Sequence, residues 1–221
     1  MSVVNLIECI KTWQGEGVEP GIGMLLCRFK YCNRKCPFCD TQVKMRISQQ
    51  ATYYLEEIQR QIDKHNLGLM ITGGEPTFYV HFDETLLLLN QLSYPVAHVE
   101  SNGYNLLELI SQTDMSKNVK FMYSPKIFSK EDLEQEINRS SDLLQIDSVF
   151  FKIVYQEYEL LLQYLDWLAT KVSKKQFNKV WLMPEGVTRT DLIQKSSAVF
   201  DACEKYNFNF SSRMHIIFGF V

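Results

Sequence analysis

Short apolar runs alternate along this chain with segments of helical period, and most runs stop at small, turn-forming or polar residues. Residues 67–72 end at Gly73-Gly74-Glu75-Pro76, and 96–100 at Ser101-Asn102-Gly103. Residues 119–123 end at Ser124-Pro125-Lys126, and 179–183 at Pro184-Glu185-Gly186. Between the runs the apolar spacing is helical. Leu55, Ile58 and Ile62 share one side of residues 49–65; Tyr158, Leu161, Leu162, Leu165, Leu168 and Ala169 form a stripe. Further helices are predicted over 82–92, 106–113, 130–144 and 190–206. Further strands are predicted over 3–10, 24–31, 148–154 and 215–221. A Gly-rich turn with Gln14-Gly15-Glu16-Gly17 and Pro20-Gly21 joins the first two strands. Strands separated by helices imply parallel βαβ units, hence an α/β fold, open or curled into a barrel. In such folds ligands sit outside the carboxyl ends of the strands, so the four polar signatures describe the rim of one site.

Composition narrows the partners. With 23 Lys and Arg against 26 Asp and Glu the net charge is −3, which argues against broad binding to nucleic acid or acidic membrane. Hydrophobic residues make up 46%, too many for a disordered chain. No apolar run is long enough to span a bilayer. The first residues lack a basic region and carry Glu8 within their apolar stretch, unlike a signal peptide. The expectation is one cytoplasmic domain over residues 1–221.

Three of six cysteines fall together as Cys32-x3-Cys36-x2-Cys39. A cluster of this kind in a cytoplasmic chain more often holds metal or does redox work than forms disulfides. One possibility is zinc, with Cys27 as fourth ligand, although Cys27 lies in an apolar strand; His65 and His81 are distant candidates. Another is a [4Fe–4S] cluster on three thiolates, with one iron open to an outside ligand. Cys9, Cys27 and Cys203 have apolar neighbours and read as buried small hydrophobes.

The stretch Cys-Asn-Arg-Lys-Cys-Pro-Phe-Cys-Asp-Thr at 32–41, followed by Thr72-Gly73-Gly74-Glu75-Pro76, resembles the radical S-adenosylmethionine superfamily. Thr12-Trp13-Gln14-Gly15-Glu16-Gly17 with Arg28, Val99-Glu100-Ser101-Asn102-Gly103, Ser124-Pro125-Lys126 and Arg213-Met214-His215 are similar to the 7-carboxy-7-deazaguanine synthase family of the queuosine and deazapurine pathway. The resemblance implies a partial parallel (β/α) barrel, a homodimer, and a [4Fe–4S] cluster on Cys32, Cys36 and Cys39. It implies S-adenosylmethionine as cofactor, cleaved to a 5′-deoxyadenosyl radical. That radical starts the ring contraction of 6-carboxy-5,6,7,8-tetrahydropterin with loss of ammonia. It further implies Mg²⁺ on Thr41 and an external electron donor such as a flavodoxin or ferredoxin.

The same resemblance distributes the contacts. Phe38, Cys39, Asp40, Gly74, Glu75, Ser124, Pro125, Lys126, Met183, Pro184 and Glu185 fall to S-adenosylmethionine. Trp13, Gln14, Gly15, Glu16, Arg28, Thr72, Glu100, Asn102, His215 and Val221 fall to the pterin. Chemistry supports several of these. Gly73 and Gly74 let backbone approach a ligand closely, and Glu75 suits an ammonium. A Gln14 amide both gives and accepts, Glu16 can receive pterin N–H groups, and the Arg28 fork matches a carboxylate. Tyr31 and Phe218 depart from the family, which often has Gly and Trp there. A glycyl-radical activase shares the cysteine spacing without needing the Gln14–Gly17 turn and Arg28. A zinc-stapled module is the non-enzymatic alternative.

Overall fold

The computed structural model describes residues 2–220, apart from the side chains of residues 43–45. The chain divides into two compact units, one of residues up to Gln14 with Gly21–Phe121, the other of Gly15–Pro20 with Met122–Phe220.

In the first unit, β1 (Val3–Leu6) pairs antiparallel with β4 (Ala51–Tyr54). β2 (Glu8–Trp13) runs antiparallel to β3 (Gly23–Phe29), which lies parallel to β5 (Gly68–Gly73), itself parallel to β6 (Ala97–Ser101). Met24, Leu25, Leu26, Cys27 and Phe29 of β3 are all buried, the near-continuous apolar run of a strand covered on both faces. Between β3 and β4 lies α1 (Gln42–Ile47). Leu55, Ile58 and Ile62 of α2 (Leu55–His65) are buried, and Asn66 ends that helix in the left-handed conformation. α3 (Phe82–Gln91) and α4 (Leu106–Gln112) complete this unit.

β7 (Val119–Tyr123) ends in the second unit. There β8 (Val149–Tyr155), β9 (Val180–Pro184) and β10 (Asn209–Phe210) pair in parallel. The connecting helices are α5 (Lys130–Leu143), α6 (Glu159–Lys171) and α7 (Arg189–Tyr206). Ser129 and Thr188 cap α5 and α7 by accepting the N–H groups of Asp132 and Asp191. Of the predicted stripe, Leu161, Leu165 and Leu168 of α6 are buried, with Tyr164 beside them, while Tyr158, Leu162 and Ala169 are half-buried.

Three expectations are corrected. The strand expected over 3–10 is two strands, because β1 and β2 take different partners. Residues 51–54 form β4 rather than the start of the following helix, since β1 offers Ala-Thr-Tyr-Tyr a paired edge. The terminal strand expected over 215–221 is replaced by α8 (Met214–Phe218), whose Ile216 and Ile217 N–H groups return to the Arg213 carbonyl. Val221 lies outside the described residues.

Candidate active site

In the first unit the chain runs from β3 straight into the cysteine loop, and the end of β5 stays zipped to it. Gly74 N–H donates to the Phe29 carbonyl at 2.9 Å and Glu75 N–H to the Tyr31 carbonyl at 2.8 Å. A Cβ on Gly74 would stand 1.8 Å from the Tyr31 oxygen. One on Gly73, at φ +120, would stand 2.3 Å from the Phe29 oxygen. The two glycines therefore admit the backbone leading to Cys32.

Glu75 is buried, 1% exposed, and brackets three segments. Its Oε1 accepts the Thr77 hydroxyl (2.7 Å) and N–H (3.1 Å) and the Ser101 hydroxyl (2.7 Å); Oε2 accepts Asn102 N–H at 2.6 Å. Burial raises the Glu75 pKa, and these four donors work against the rise. One oxygen carries three of them, so Oε2 keeps capacity for a further donor such as an ammonium. Asn102, expected beside the substrate, turns to the cysteine loop and donates to Asn33 Oδ1 at 2.8 Å, with Cys32 Sγ at 3.8 Å.

Cys32, Cys36 and Cys39 are half-buried, and none of them is in a disulfide. Burial pushes the Cys32 thiol up to about 11, with Glu75, Cys36 and Cys39 adding to the rise and the Arg34 N–H, 3.4 Å from the sulfur, opposing it. Among the described residues no three His, Cys, Asp or Glu side chains converge on one metal ion. A four-iron cluster makes no such demand, because each thiolate holds a different iron, and N–H groups near the sulfurs suit it. These residues fit a cluster. The four-thiol zinc staple does not form: Cys27 is buried directly opposite Cys9 across β2 and β3 and hydrogen-bonds to it.

The remaining residues expected around the cluster lie close by in sequence but in varied settings. Phe38 is half-buried, Asp40 is exposed, and the Thr41 hydroxyl donates to Asp40 Oδ1 at 3.0 Å. Thr72 of β5 stands beside Arg28 of β3, and Glu8 of β2 stands opposite Arg28 on the other side. The Arg28 Nε donates to Glu8 Oε2 at 2.7 Å. Gln14 is buried, with its amide nitrogen 2.6 Å from Nδ1 of buried His98. Glu100 is half-buried on β6, while Trp13 is 52% exposed at the end of β2.

His81 is a residue the sequence reading weighed only as a remote zinc candidate. Its ring stacks on Phe29 and Tyr31, and Nε2 accepts the Tyr31 N–H at 3.0 Å, just ahead of Cys32. The ring proton therefore sits on Nδ1, which is buried without a hydrogen-bond partner among the described residues. Burial lowers the His81 pKa to about 4, and the Tyr31 N–H on Nε2 favours the same neutral ring. Because the folded value lies below the unfolded one, His81 contributes its full stability above pH 6.5 and loses it as the pH falls towards 4. Chemical denaturation at pH 7 and pH 4 should show wild type losing about 2–3 kcal/mol more than His81→Gln over that interval.

In the second unit the Gly15–Glu16–Gly17 turn is clamped by residues 211–215. Met214 N–H donates to the Gly15 carbonyl at 3.0 Å, and Gly17 N–H donates to the Ser211 hydroxyl at 2.7 Å. A side chain at Gly15 would meet His215 Nδ1 at 2.7 Å. Glu16 lies between cations: Lys152 Nζ is 2.7 Å from Oε2, Arg213 Nε is 2.8 Å from Oε1, and His215 Nε2 is 3.7 Å from Oε1. Burial alone would raise its pKa, but the charges of Lys152, Arg213 and His215 outweigh burial and hold the carboxyl far below its ordinary range. Both oxygens thus already serve protein cations. Arg213 also donates through Nη1 to the Gly186 carbonyl at 2.6 Å. Lys152 was missed by the sequence reading, although a lone charge inside Val-Phe-Phe-Lys-Ile-Val-Tyr was a visible signal. Lys126 donates to the Ser124 hydroxyl, Pro125, Met183 and Pro184 are buried, and Glu185 pairs with Lys195.

Comparison with known proteins decides the family. The profile of the radical SAM superfamily matches residues 26–149, more than half of the chain. The chain belongs to the radical SAM superfamily. Membership brings a [4Fe–4S] cluster and S-adenosylmethionine as cofactors, in keeping with the fit of the three-thiol loop. Among relatives, a 7-carboxy-7-deazaguanine synthase of Hyperthermus butylicus is 25% identical, over 98% of this chain and 93% of its own. One of Halobacterium salinarum is 23% identical over 95% and 88%. One of Haemophilus influenzae is 31% identical over 55% and 56%. Among solved structures, QueE from Escherichia coli superposes with a TM-score of 0.60 at 17% identity, covering 96% of this chain and 95% of that one. SuiB of Streptococcus suis, bound to precursor peptide SuiA, gives 0.56 at 17% identity over 89% and 50%. These likenesses show the fold of this radical SAM chain, the partial parallel barrel class expected from its sequence. Among the described residues, no helix is long and apolar enough to cross a membrane.

Proposed function

We propose that this radical SAM protein is a 7-carboxy-7-deazaguanine synthase, which contracts the ring of 6-carboxy-5,6,7,8-tetrahydropterin with loss of ammonia. The observation that carries this reading is the length of the likeness. A relative of that name aligns over 98% of the chain, so Gln14–Gly17 and the C-terminal Arg213-Met214-His215 both fall within the range of the match. When bound, the cluster and S-adenosylmethionine supply one-electron cleavage of the sulfonium and hence a radical able to take hydrogen from carbon.

The chain's own residues hold and shield. Cys32, Cys36 and Cys39 would ligate the cluster, and Glu75 would take the methionine ammonium on Oε2. Phe38, Asp40, Gly74, Ser124, Pro125, Lys126, Met183, Pro184 and Glu185 would serve the rest of that cofactor. Arg28 would take the pterin carboxylate. Trp13, Gln14, Gly15, Glu16, Thr72, Glu100, Asn102, His215 and Val221 would serve its ring. Mg²⁺ on Thr41, a homodimer, a flavodoxin or ferredoxin as electron donor, and a cytoplasmic setting complete the reading.

Anaerobic reconstitution with iron and sulfide tests it, followed by incubation with S-adenosylmethionine, reductant, Mg²⁺ and 6-carboxytetrahydropterin. Mass spectrometry should find 7-carboxy-7-deazaguanine without matching loss of S-adenosylmethionine. Cleavage of S-adenosylmethionine without that product would overturn the substrate and leave the radical chemistry standing.

A further inference from the structure

The Glu8–Arg28 pair carries an inference about how the substrate carboxylate is read. It rests on the functional reading above. Glu8 and Arg28 are direct cross-strand partners on β2 and β3, and their side chains are 12% and 17% exposed. The contact uses Nε alone: Arg28 donates to Glu8 Oε2 at 2.7 Å, and among the described residues no other side chain hydrogen-bonds or ion-pairs with the guanidinium. Below the side chain there is no room to swing. A Cβ on Gly73 would stand 2.6 Å from Arg28 Cγ, so the stem lies against that bare Cα. A guanidinium presents five N–H donors in one plane, and a carboxylate seated at Nε fixes the plane while the Nη edge stays available. Arg28 also sits near the carboxyl ends of two parallel strands, where ligands gather in α/β folds.

We propose that Glu8 is a positioning residue that aims the Nη1–Nη2 fork of Arg28 at the substrate carboxylate, and so sets the preference for a carboxylated pterin. Glu8 touches no reacting atom. Its effect passes wholly through Arg28, and it works as a hydrogen-bond acceptor at Nε. A Gln at this position keeps an acceptor of the same reach, whereas Ala removes it.

The test measures KM, kcat and equilibrium binding of 6-carboxytetrahydropterin, with tetrahydropterin as the analogue lacking the carboxylate, on the reconstituted holoenzyme. Glu8→Ala should raise KM for the carboxylated pterin about tenfold or more, leave kcat within about twofold, and erase the preference over tetrahydropterin. Glu8→Gln should stay within about threefold of wild type in KM. Adding Glu8→Ala to Arg28→Ala should cost nothing further, because one residue acts through the other. A Glu8→Ala enzyme that keeps wild-type KM and preference would overturn the proposal, as would a further loss in the Arg28→Ala background. A wild type that binds both pterins alike would instead sink the functional reading. The positioning claim is then read without ligand, from hydrogen exchange at Arg28 Nε. Slow exchange in wild type that becomes fast in Glu8→Ala supports it, and equal exchange overturns it.

Discussion

Gly74→Ala is expected to destabilise the protein by about 3–5 kcal/mol and to cost about 100-fold or more in turnover. The added methyl would lie 1.8 Å from the Tyr31 carbonyl oxygen and 2.3 Å from its carbon, both backbone atoms with no rotamer to yield. The chain after β3 and the chain after β5 must then part by on the order of an ångström. Two hydrogen bonds that join them, Gly74 N–H to Phe29 and Glu75 N–H to Tyr31, are lost in the movement. Tyr31 immediately precedes Cys32, so the displacement reaches the thiols directly. Thermal unfolding of the apoprotein should fall by about 10 °C for a chain of this length. Iron bound per chain after reconstitution should fall with it. Gly21→Ala serves as control: Gly21 has φ +90 with nothing within 4 Å of a new Cβ, so it suffers backbone strain alone, roughly 1–2 kcal/mol. Equal losses at the two positions would refute the argument from close approach.

Glu136→Ala is expected to cost about 3 kcal/mol or more in stability. Glu136 of α5 is fully buried, accepts the Tyr123 hydroxyl, and pairs with Arg139 Nη1 at 2.7 Å. Tyr164 of α6 joins the same region through Ser140 at 2.6 Å. Removing the carboxylate strands the Arg139 charge and the phenol in an apolar setting. A half-exposed arginine could escape to water, but Arg139 is only 23% exposed. The double variant Glu136→Met/Arg139→Met should regain most of the loss, since replacing a whole buried pair by apolar groups is often neutral. Equilibrium denaturation of the three proteins decides it. A single variant as stable as wild type would show that the charge is not held there.

Much of this was legible in the chain. The alternation of apolar runs with helical stripes gave the parallel units, because a period of residues is local and survives without tertiary knowledge. The Gly73-Gly74 pair was also visible, but its reason was not. A close approach can be read from glycine, whereas what approaches depends on the parallel pairing of β3 with β5. Glu8 looked like a charge interrupting an apolar start; only the register of β2 on β3 sets it opposite Arg28. The C-terminal His-Ile-Ile-Phe read as strand because its residues favour pleated surface, and the clamp of residues 211–215 on the Gly15–Gly17 turn decides otherwise. Glu16 stood out in the sequence as a candidate acid. Its two cations come from Lys152 and Arg213, far along the sequence, and no spacing rule could have joined them.

The pairing of β1 with β4 has an evolutionary consequence. The arc of residues 30–50 is pinned at one end by the Glu75–Tyr31 backbone bond and at the other by β4 on β1. Asn5 anchors β1 in turn, its amide donating to Glu84 Oε1 at 2.7 Å. Lengthening a closed arc is cheap, about 0.6 kcal/mol for each doubling. Residues 42–50 are therefore a place where descendants of such a chain can gain or shed sequence while the thiols stay in register. The surface there can drift independently of the chemistry within.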